Sequence, residues 1–267
     1  MAGILSLQYK QVPGNKKENI LKVTAMLSAN TDKVLDLVVL PEFFSTGICD
    51  EMYTTPENSD GGETVKAVSM LAKKYKTNII SGTVIEKDGD KLYNTMYVLD
   101  REGKIIGKYR KIHLFAYMGG TEDKALTPGD REVIIDLDFA RVGLSICFDI
   151  RYPLHHRKLA QSGAEIIVSP SAFSYPASLS DEDKTAFVNT WRALNVTRAT
   201  ENLVYFISSN LFGKSYPYLY SIGNSMVTDP WGRVLADAKE EETAIYADIS
   251  LAAGKEIRKV YPACHIS

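Results

Sequence analysis

The chain has 267 residues, 45% of them hydrophobic, and a formal net charge of -2. That is enough apolar material for a sizeable core, and the expected organisation is one domain over residues 1–267. The charge leaves no electrostatic footprint for nucleic acid or a membrane surface, and three scattered cysteines (Cys49, Cys147, Cys264) suggest neither a disulfide framework nor a zinc site.

No apolar run approaches the roughly 18–20 residues that span a bilayer. The first ten residues lack the basic segment and long apolar stretch of a secretory signal. The expectation is a soluble, cytoplasmic protein with reduced thiols.

Residues 4–9 alternate apolar and polar side chains and predict a half-buried first strand, broken by Pro13-Gly14. Asn15 then caps a helix over residues 15–29, with Ile20, Leu21, Val23, Thr24 and Leu27 at helical spacing. A buried strand over 35–40 runs directly into Pro41-Glu42-Phe43-Phe44. After Gly61-Gly62 a second helix covers 63–75, with Val65, Val68, Met70, Leu71 and Ala72 toward the core. Residues 78–85 and 92–99 read as a hairpin around Asp88-Gly89.

A strand follows over 104–111, then a strand pair over 133–137 and 142–147. A short helix (154–162) ends at Gly163, and 165–168 is another buried strand. The longest helix is expected over 184–201. It leads into a strand at 203–208 and a loop rich in Gly, Pro and Tyr. Strands over 225–228 and 234–236 flank Asp229-Pro230-Trp231-Gly232, and 244–249 completes the pattern. Helix–strand units followed by hairpins indicate an α/β fold with mixed sheets.

Three residues stand just past apolar strands. Cys147 precedes Phe148-Asp149-Ile150-Arg151-Tyr152-Pro153, which places a thiol at a sheet rim, although a lone cysteine at a strand end is usually core. Glu42, between Pro41 and two Phe, is either a carboxylate made more basic by apolar surroundings or a solvated loop residue. Lys111 closes a basic stretch in which Lys108, Arg110 and His113 could form a solvated face. A point cation there could hold developing negative charge in acyl transfer. Glu122 reads as an acidic loop residue. Glu, Lys and Cys together supply a base, a cation and a nucleophile without histidine. A Cys–His dyad through His155 or His156 is possible, but no histidine occupies a strand end, so these are read as structural.

Three segments carry a resemblance. Leu40-Pro41-Glu42-Phe43, Tyr109-Arg110-Lys111-Ile112-His113 and Gly143-Leu144-Ser145-Ile146-Cys147-Phe148-Asp149 resemble, in this order, the Glu, Lys and Cys motifs of the nitrilase superfamily of carbon–nitrogen hydrolases. Pro170-Ser171-Ala172-Phe173, the 191–202 segment and Gly223-Asn224-Ser225 agree, the last standing where many members have Gly-His-Ser. The resemblance implies a four-layer α-β-β-α sandwich, a homodimer, and no cofactor or metal. It makes Glu42 the general base, Cys147 the nucleophile, Lys111 the stabiliser of the tetrahedral intermediate and Glu122 a second, substrate-orienting glutamate. The Phe148 backbone N–H would share the oxyanion. The segment 115–122 is shorter than in many members, so its loop is expected to differ.

The run Cys147-Phe148-Asp149-Ile150-Arg151-Tyr152-Pro153 is similar to the Cys-Tyr-Asp-x-Arg-Phe-Pro form of the ω-amidase and deaminated-glutathione amidase branch. The implied substrate is a small-molecule linear amide, first an ω-amide of a dicarboxylic acid such as 2-oxoglutaramate. Alternatives are deaminated glutathione, an N-carbamoyl amino acid, or a binding protein without turnover. Arg151 either binds a substrate carboxylate or braces the turn through a salt bridge.

Overall fold

The structure is a computed structural model and describes residues 1–117, 120–216 and 218–262. Cys264 lies outside the described residues. The chain opens with β1 (Ala2–Gln8), α1 (Lys16–Ser28), β2 (Leu37–Val39) and the two-residue β3 (Glu57–Asn58). It continues with α2 (Gly62–Tyr75), β4 (Asn78–Asp88), β5 (Lys91–Leu99), β6 (Ile105–Arg110) and the single-turn α3 (Glu122–Ala125). Then come β7 (Ile134–Asp136), β8 (Arg141–Leu144), a 3-10 turn at Cys147–Arg151, α4 (Pro153–Gln161), β9 (Ile166–Ser171) and β10 (Ser174–Pro176). The last third holds α5 (Asp181–Asn202), β11 (Tyr205–Asn210), β12 (Phe212–Tyr216), β13 (Leu219–Ile222), β14 (Met226–Thr228), β15 (Val234–Asp237), β16 (Thr243–Ile249) and α6 (Leu251–Val260).

Two sheets face each other. One runs β16-β1-β2-β4-β5-β6 with β3 beside β4, and the other runs β15-β14-β11-β9-β8-β7. Side chains alternate across each strand, so β1 and β2 send Ile4, Leu37 and Val39 into the layer between the sheets. Leu5, Leu7 and Val38 point the other way, onto Val23 and Leu27 of α1 and Val65, Val68 and Leu71 of α2. On the far side of the second sheet, Leu159 of α4 and Trp191 and Ala199 of α5 pack against Val204 and Phe206. The layers are therefore α-β-β-α, as the resemblance implies.

Four expectations change. The first strand is buried on both faces, because its polar side chains enter the inter-sheet layer and bond there. Ser6 Oγ donates to Ser208 O at 2.8 Å, and Gln8 Nε2 donates to Lys239 O and Glu241 O at 2.9 and 2.7 Å. Met70 is 68% exposed, since the buried stripe of α2 runs through Val65, Val68, Leu71 and Ala72. The Gly/Pro/Tyr-rich stretch contains β12 and β13, which with β10 make a three-stranded satellite sheet. Finally, α6 follows β16, tied back by Arg258 through Nε to Leu203 O and Nη2 to Ala164 O, each at 2.8 Å.

The asparagine cap of α1 is as expected: its side chain accepts from Glu18 N at 3.1 Å. The hairpin turns at Gly89-Asp90, between the paired Asp88 and Lys91.

Candidate active site

Strands β2, β4 and β6 run parallel to one another, as do β8 and β9. Glu42, Lys111, Cys147 and Ala172 follow β2, β6, β8 and β9, so all four stand beyond the carboxyl ends of strands on one rim of the sandwich. A cavity of about 760 Å³ opens there, with Glu42, Lys111, Glu122, Cys147 and Arg151 in its wall among rings such as Phe115, Phe148 and Phe173.

Glu42 is positioned by a fault in its neighbour. The β4–β5 register shifts between Ile80 and Thr83, and Gly82 there has φ +66. A Cβ on Gly82 would lie 2.1 Å from Pro41 O, so only glycine lets the β2 exit loop come this close. Thr83 Oγ1 then accepts from Phe43 N at 2.9 Å and holds Phe43 at φ 50. Glu42 Oε2 accepts from Ala172 N at 2.9 Å, and Oε1 accepts from Lys111 Nζ at 2.9 Å and Asn94 Nδ2 at 2.8 Å.

Lys111 is pinned at both ends. Its backbone N donates to Asn94 O at 2.9 Å and its carbonyl accepts from Gly129 N at 2.8 Å. Its ammonium donates to Glu42 Oε1 and, at 2.7 Å, to Glu122 Oε2. Three N–H groups minus these two bonds leaves one for a ligand. Glu122 is buried as well, despite its short approach loop. Phe115 N donates to its Oε2 at 2.7 Å and Glu122 N to Phe115 O at 3.2 Å, which fixes the carboxylate against Phe115.

Cys147 begins the 3-10 turn at φ 43, a left-handed conformation that costs a non-glycine residue about 1–3 kcal/mol and recurs at functional sites. Asp149 braces this turn: its carboxylate accepts from Ile146 N at 2.9 Å, Tyr109 Oη at 2.7 Å and His113 N at 3.0 Å. The turn that carries Cys147 is thereby fastened to the strand that leads into Lys111.

The electrostatics follow from burial. Glu42 is pushed above the usual carboxylate range by desolvation, opposed by Lys111 and by a hydrogen bond from Cys147, with Glu122 adding to the rise. Desolvation alone would lower Lys111. Glu122, Glu42 and Cys147 outweigh it and raise the ammonium well above its ordinary value. The Cys147 thiol is raised well above its ordinary value by burial and then by Glu42. The resting site therefore pairs a neutral thiol with an unusually basic carboxylate beside a fixed cation. That combination suits nucleophilic attack on a carbonyl.

A family model of carbon-nitrogen hydrolases matches residues 4–259. The chain belongs to the carbon-nitrogen hydrolase family. This carbon-nitrogen hydrolase is 33% identical over 263 residues to the omega-amidase NIT2 of Bos taurus, covering 97% of this chain and 92% of that protein. It is 33% identical over 259 residues to the 2-oxoglutaramate amidase of Bacillus subtilis, covering 97% and 95%. Among solved structures, Saccharomyces cerevisiae Nit3, a member of branch 10 of the nitrilase superfamily, aligns with a TM-score of 0.85 at 29% identity over 98% of this chain and 94% of its own. The carbon-nitrogen hydrolase of Helicobacter pylori G27 aligns with a TM-score of 0.89 at 27% identity, covering 100% and 95%. The chain is an amidohydrolase of the α-β-β-α type.

Within this carbon-nitrogen hydrolase the three described histidines have other partners than the thiol. His155 Nε2 meets Leu144 O at 3.2 Å, and His156 meets Ser145 Oγ and Tyr152 O at 3.1 Å each. Burial pushes His156 down to about 3. His113 Nδ1 lies 2.7 Å from Asp149 Oδ1, and its ring stacks on Tyr152. Lys108 and Arg110 are more than a solvated face: both ion-pair with the fully buried Glu86. Cys49 lines the same cavity, where burial raises its thiol. No helix among the described residues is long and apolar enough to cross a membrane, and no group of three or more His, Cys, Asp or Glu there could hold a metal ion.

Asn94, Ala172, Thr83 and Asp149 contribute to the site without having been singled out in the sequence. Asp149 carries a testable consequence. Burial alone would raise its pKa, but bonds from His113, Ile146 N and Tyr109, with the charge of His155, bring it down to about 2. A carboxylate lowered from about 3.9 contributes about 2–3 kcal/mol that is present above pH ~4 and lost as pH falls toward ~2. Asp149→Asn is expected to lose that amount at pH 7, with the gap from wild type narrowing as pH falls from 5 to 3. Urea unfolding across that range checks it, and a constant gap would contradict the assignment.

Proposed function

We propose that the protein is an ω-amidase that hydrolyses ω-amides of dicarboxylic acids, such as 2-oxoglutaramate, to the acid and ammonia through a thioester on Cys147. The observation that carries this reading is the meeting of Glu42, Lys111, Glu122 and Cys147 in one cavity that also exposes Arg151. The names carried by its relatives at 33% identity, omega-amidase and 2-oxoglutaramate amidase, support the substrate class.

In this mechanism Glu42 accepts the thiol proton as Cys147 Sγ attacks the amide carbonyl. The oxyanion meets the third N–H of Lys111 and the backbone N–H of Phe148, the residue after the nucleophile in the 3-10 turn. Collapse breaks the C–N bond while the proton passes to nitrogen, so ammonia leaves and an acyl thioester remains. Water activated by Glu42 then attacks the thioester and restores the thiol. Glu122, fixed by Lys111, Asn94 and Phe115 N, orients the amide nitrogen.

Arg151 forms no ion pair among the described residues; its guanidinium lies 5.8 Å from the Phe173 ring centroid. The bracing salt bridge is not present there, which leaves the guanidinium available to a substrate carboxylate. Arg151→Ala is expected to raise KM for a dicarboxylate ω-amide roughly 10–100-fold, the worth of a charge-assisted hydrogen bond. KM for an uncharged amide of the same length should change little. Steady-state ammonia release on the two amides checks this, and equal effects would contradict it.

A second reading rests on the cavity's size. A five-carbon ω-amide fills only part of about 760 Å³, which favours a longer amide such as deaminated glutathione. An ammonia-release panel of ω-amides, deaminated glutathione, carbamoyl amino acids and nitriles separates the two. The first reading requires the highest kcat/KM on the short ω-amide.

A further inference from the structure

Asn94 lies in the interior of β5, a 0%-exposed polar residue in a strand whose next positions are mostly apolar, and it is not part of the cavity wall. Asparagine is depleted in strands, so its presence calls for a local reason. Its Nδ2 donates one hydrogen to Glu42 Oε1 at 2.8 Å and the other to Glu122 Oε1 at 2.9 Å. Its backbone carbonyl accepts from Lys111 N at 2.9 Å. One residue thus touches all three charged members of the site. The amide orientation is fixed by chemistry, because the opposite one would set an oxygen against two carboxylate oxygens. The cost is visible on the other side: Asn94 Oδ1 is buried with no partner among the described residues.

We propose that Asn94 is a positioning residue that holds Glu42 and Glu122 apart, one amide N–H to each, and so keeps Glu42 ready as the base of Cys147. Two carboxylates in a shared dry site tend to trap a proton between them, and Lys111 supplies only one compensating charge. A neutral amide favours the anionic form of both without adding a second cation, which would weaken Glu42 as a base. Serine or threonine offers one donor hydrogen. The primary amide of asparagine offers two from a single atom at the short reach this strand allows. This inference deepens the proposed mechanism and rests on Glu42 acting as base to Cys147.

The test is the pH dependence of Cys147 alkylation by iodoacetamide, without substrate, in wild type, Asn94→Leu, Asn94→Ser and Glu42→Gln. First-order rate constants report folded molecules whatever fraction folds, and thermal melting is recorded separately. The wild-type rate should fall as pH drops through the ionisation of Glu42. In Asn94→Leu, which keeps the size and loses both donors, the fall should move about one pH unit or more upward, about fivefold or more slower at the wild-type midpoint. Asn94→Ser, with one donor left, should fall between. The acid limb of kcat/KM should move with it, kcat at neutral pH dropping about 10-fold or more while KM changes by less than about threefold.

Alkylation profiles of both Asn94 variants that superimpose on wild type, whatever their melting temperatures, overturn the proposal. Glu42→Gln should remove the pH-dependent fall. If it keeps the wild-type profile, Glu42 is not the base, and the mechanism fails together with this inference. If Glu42→Gln removes the fall and the Asn94 variants leave it in place, only the role of Asn94 is lost.

Discussion

Replacing Lys111 with methionine is expected to abolish turnover and to lower folding stability by about 3–5 kcal/mol, the usual cost of removing one partner from a buried ion pair. Both effects have one cause. Lys111 is 2% exposed and lies between Glu42 and Glu122, at 2.9 and 2.7 Å. Without the ammonium, two buried carboxylates face each other with only the Asn94 amide between them, and one takes up a proton rather than stay unpaired. The Lys111 share of oxyanion stabilisation goes with the same side chain, leaving only the backbone N–H of Phe148.

The sign of the pH effect follows. A carboxyl whose folded pKa is raised above the unfolded value of about 4.3 gives the folded state an extra proton, so stability falls as pH rises through that interval. The deficit of Lys111→Met relative to wild type should therefore be larger at pH 8 than at pH 5. Denaturant unfolding at the two values measures it. A deficit independent of pH would mean that the carboxylates do not depend on Lys111 for their charge.

The reverse pattern is expected for Cys147→Ala: stability near that of wild type and ammonia release lower by roughly 10⁴-fold or more, the scale of deleting a nucleophile that works as part of a unit. Alanine keeps the Cβ and fits the same backbone about as well as cysteine at φ 43. The thiol is neutral at rest, because burial and Glu42 raise it, so its removal discards no buried charge. A coupled ammonia assay beside a thermal melt separates the two quantities. Substantial residual turnover would show that sulfur is not the attacking atom.

Glu42, Lys111 and Cys147 were legible in the sequence because each stands just past a strand, and parallel strands bring such ends to one rim. The helix and hairpin pattern was legible for a similar reason: caps, Asp-Gly turns and apolar spacing act locally. Asn94 and the backbone N of Ala172 were not, because their roles exist only once β5 and β9 are stacked beside the β2 exit. Asn94 did leave a trace as a polar residue inside an apolar run.

Other differences have equally physical origins. Ser6 and Gln8 alternate like a solvated strand face, yet their partners come from β11 and the segment before β16, about 200 residues or more away. The 211–222 stretch carries turn-forming residues, yet it holds β12 and β13, short strands of a satellite sheet. The short 115–122 segment was expected to differ in its loop, and two hydrogen bonds between Phe115 and Glu122 hold the carboxylate in the site.

The central claim is a covalent thioester on Cys147, and the most direct test is to quench turnover of an ω-amide in acid and map the adduct by peptide mass spectrometry. The expected result is a mass increase equal to the substrate less ammonia, confined to the peptide that contains Cys147 and absent from Cys147→Ala. An adduct on Cys49 or Cys264, or undiminished turnover with no adduct on Cys147, would contradict it.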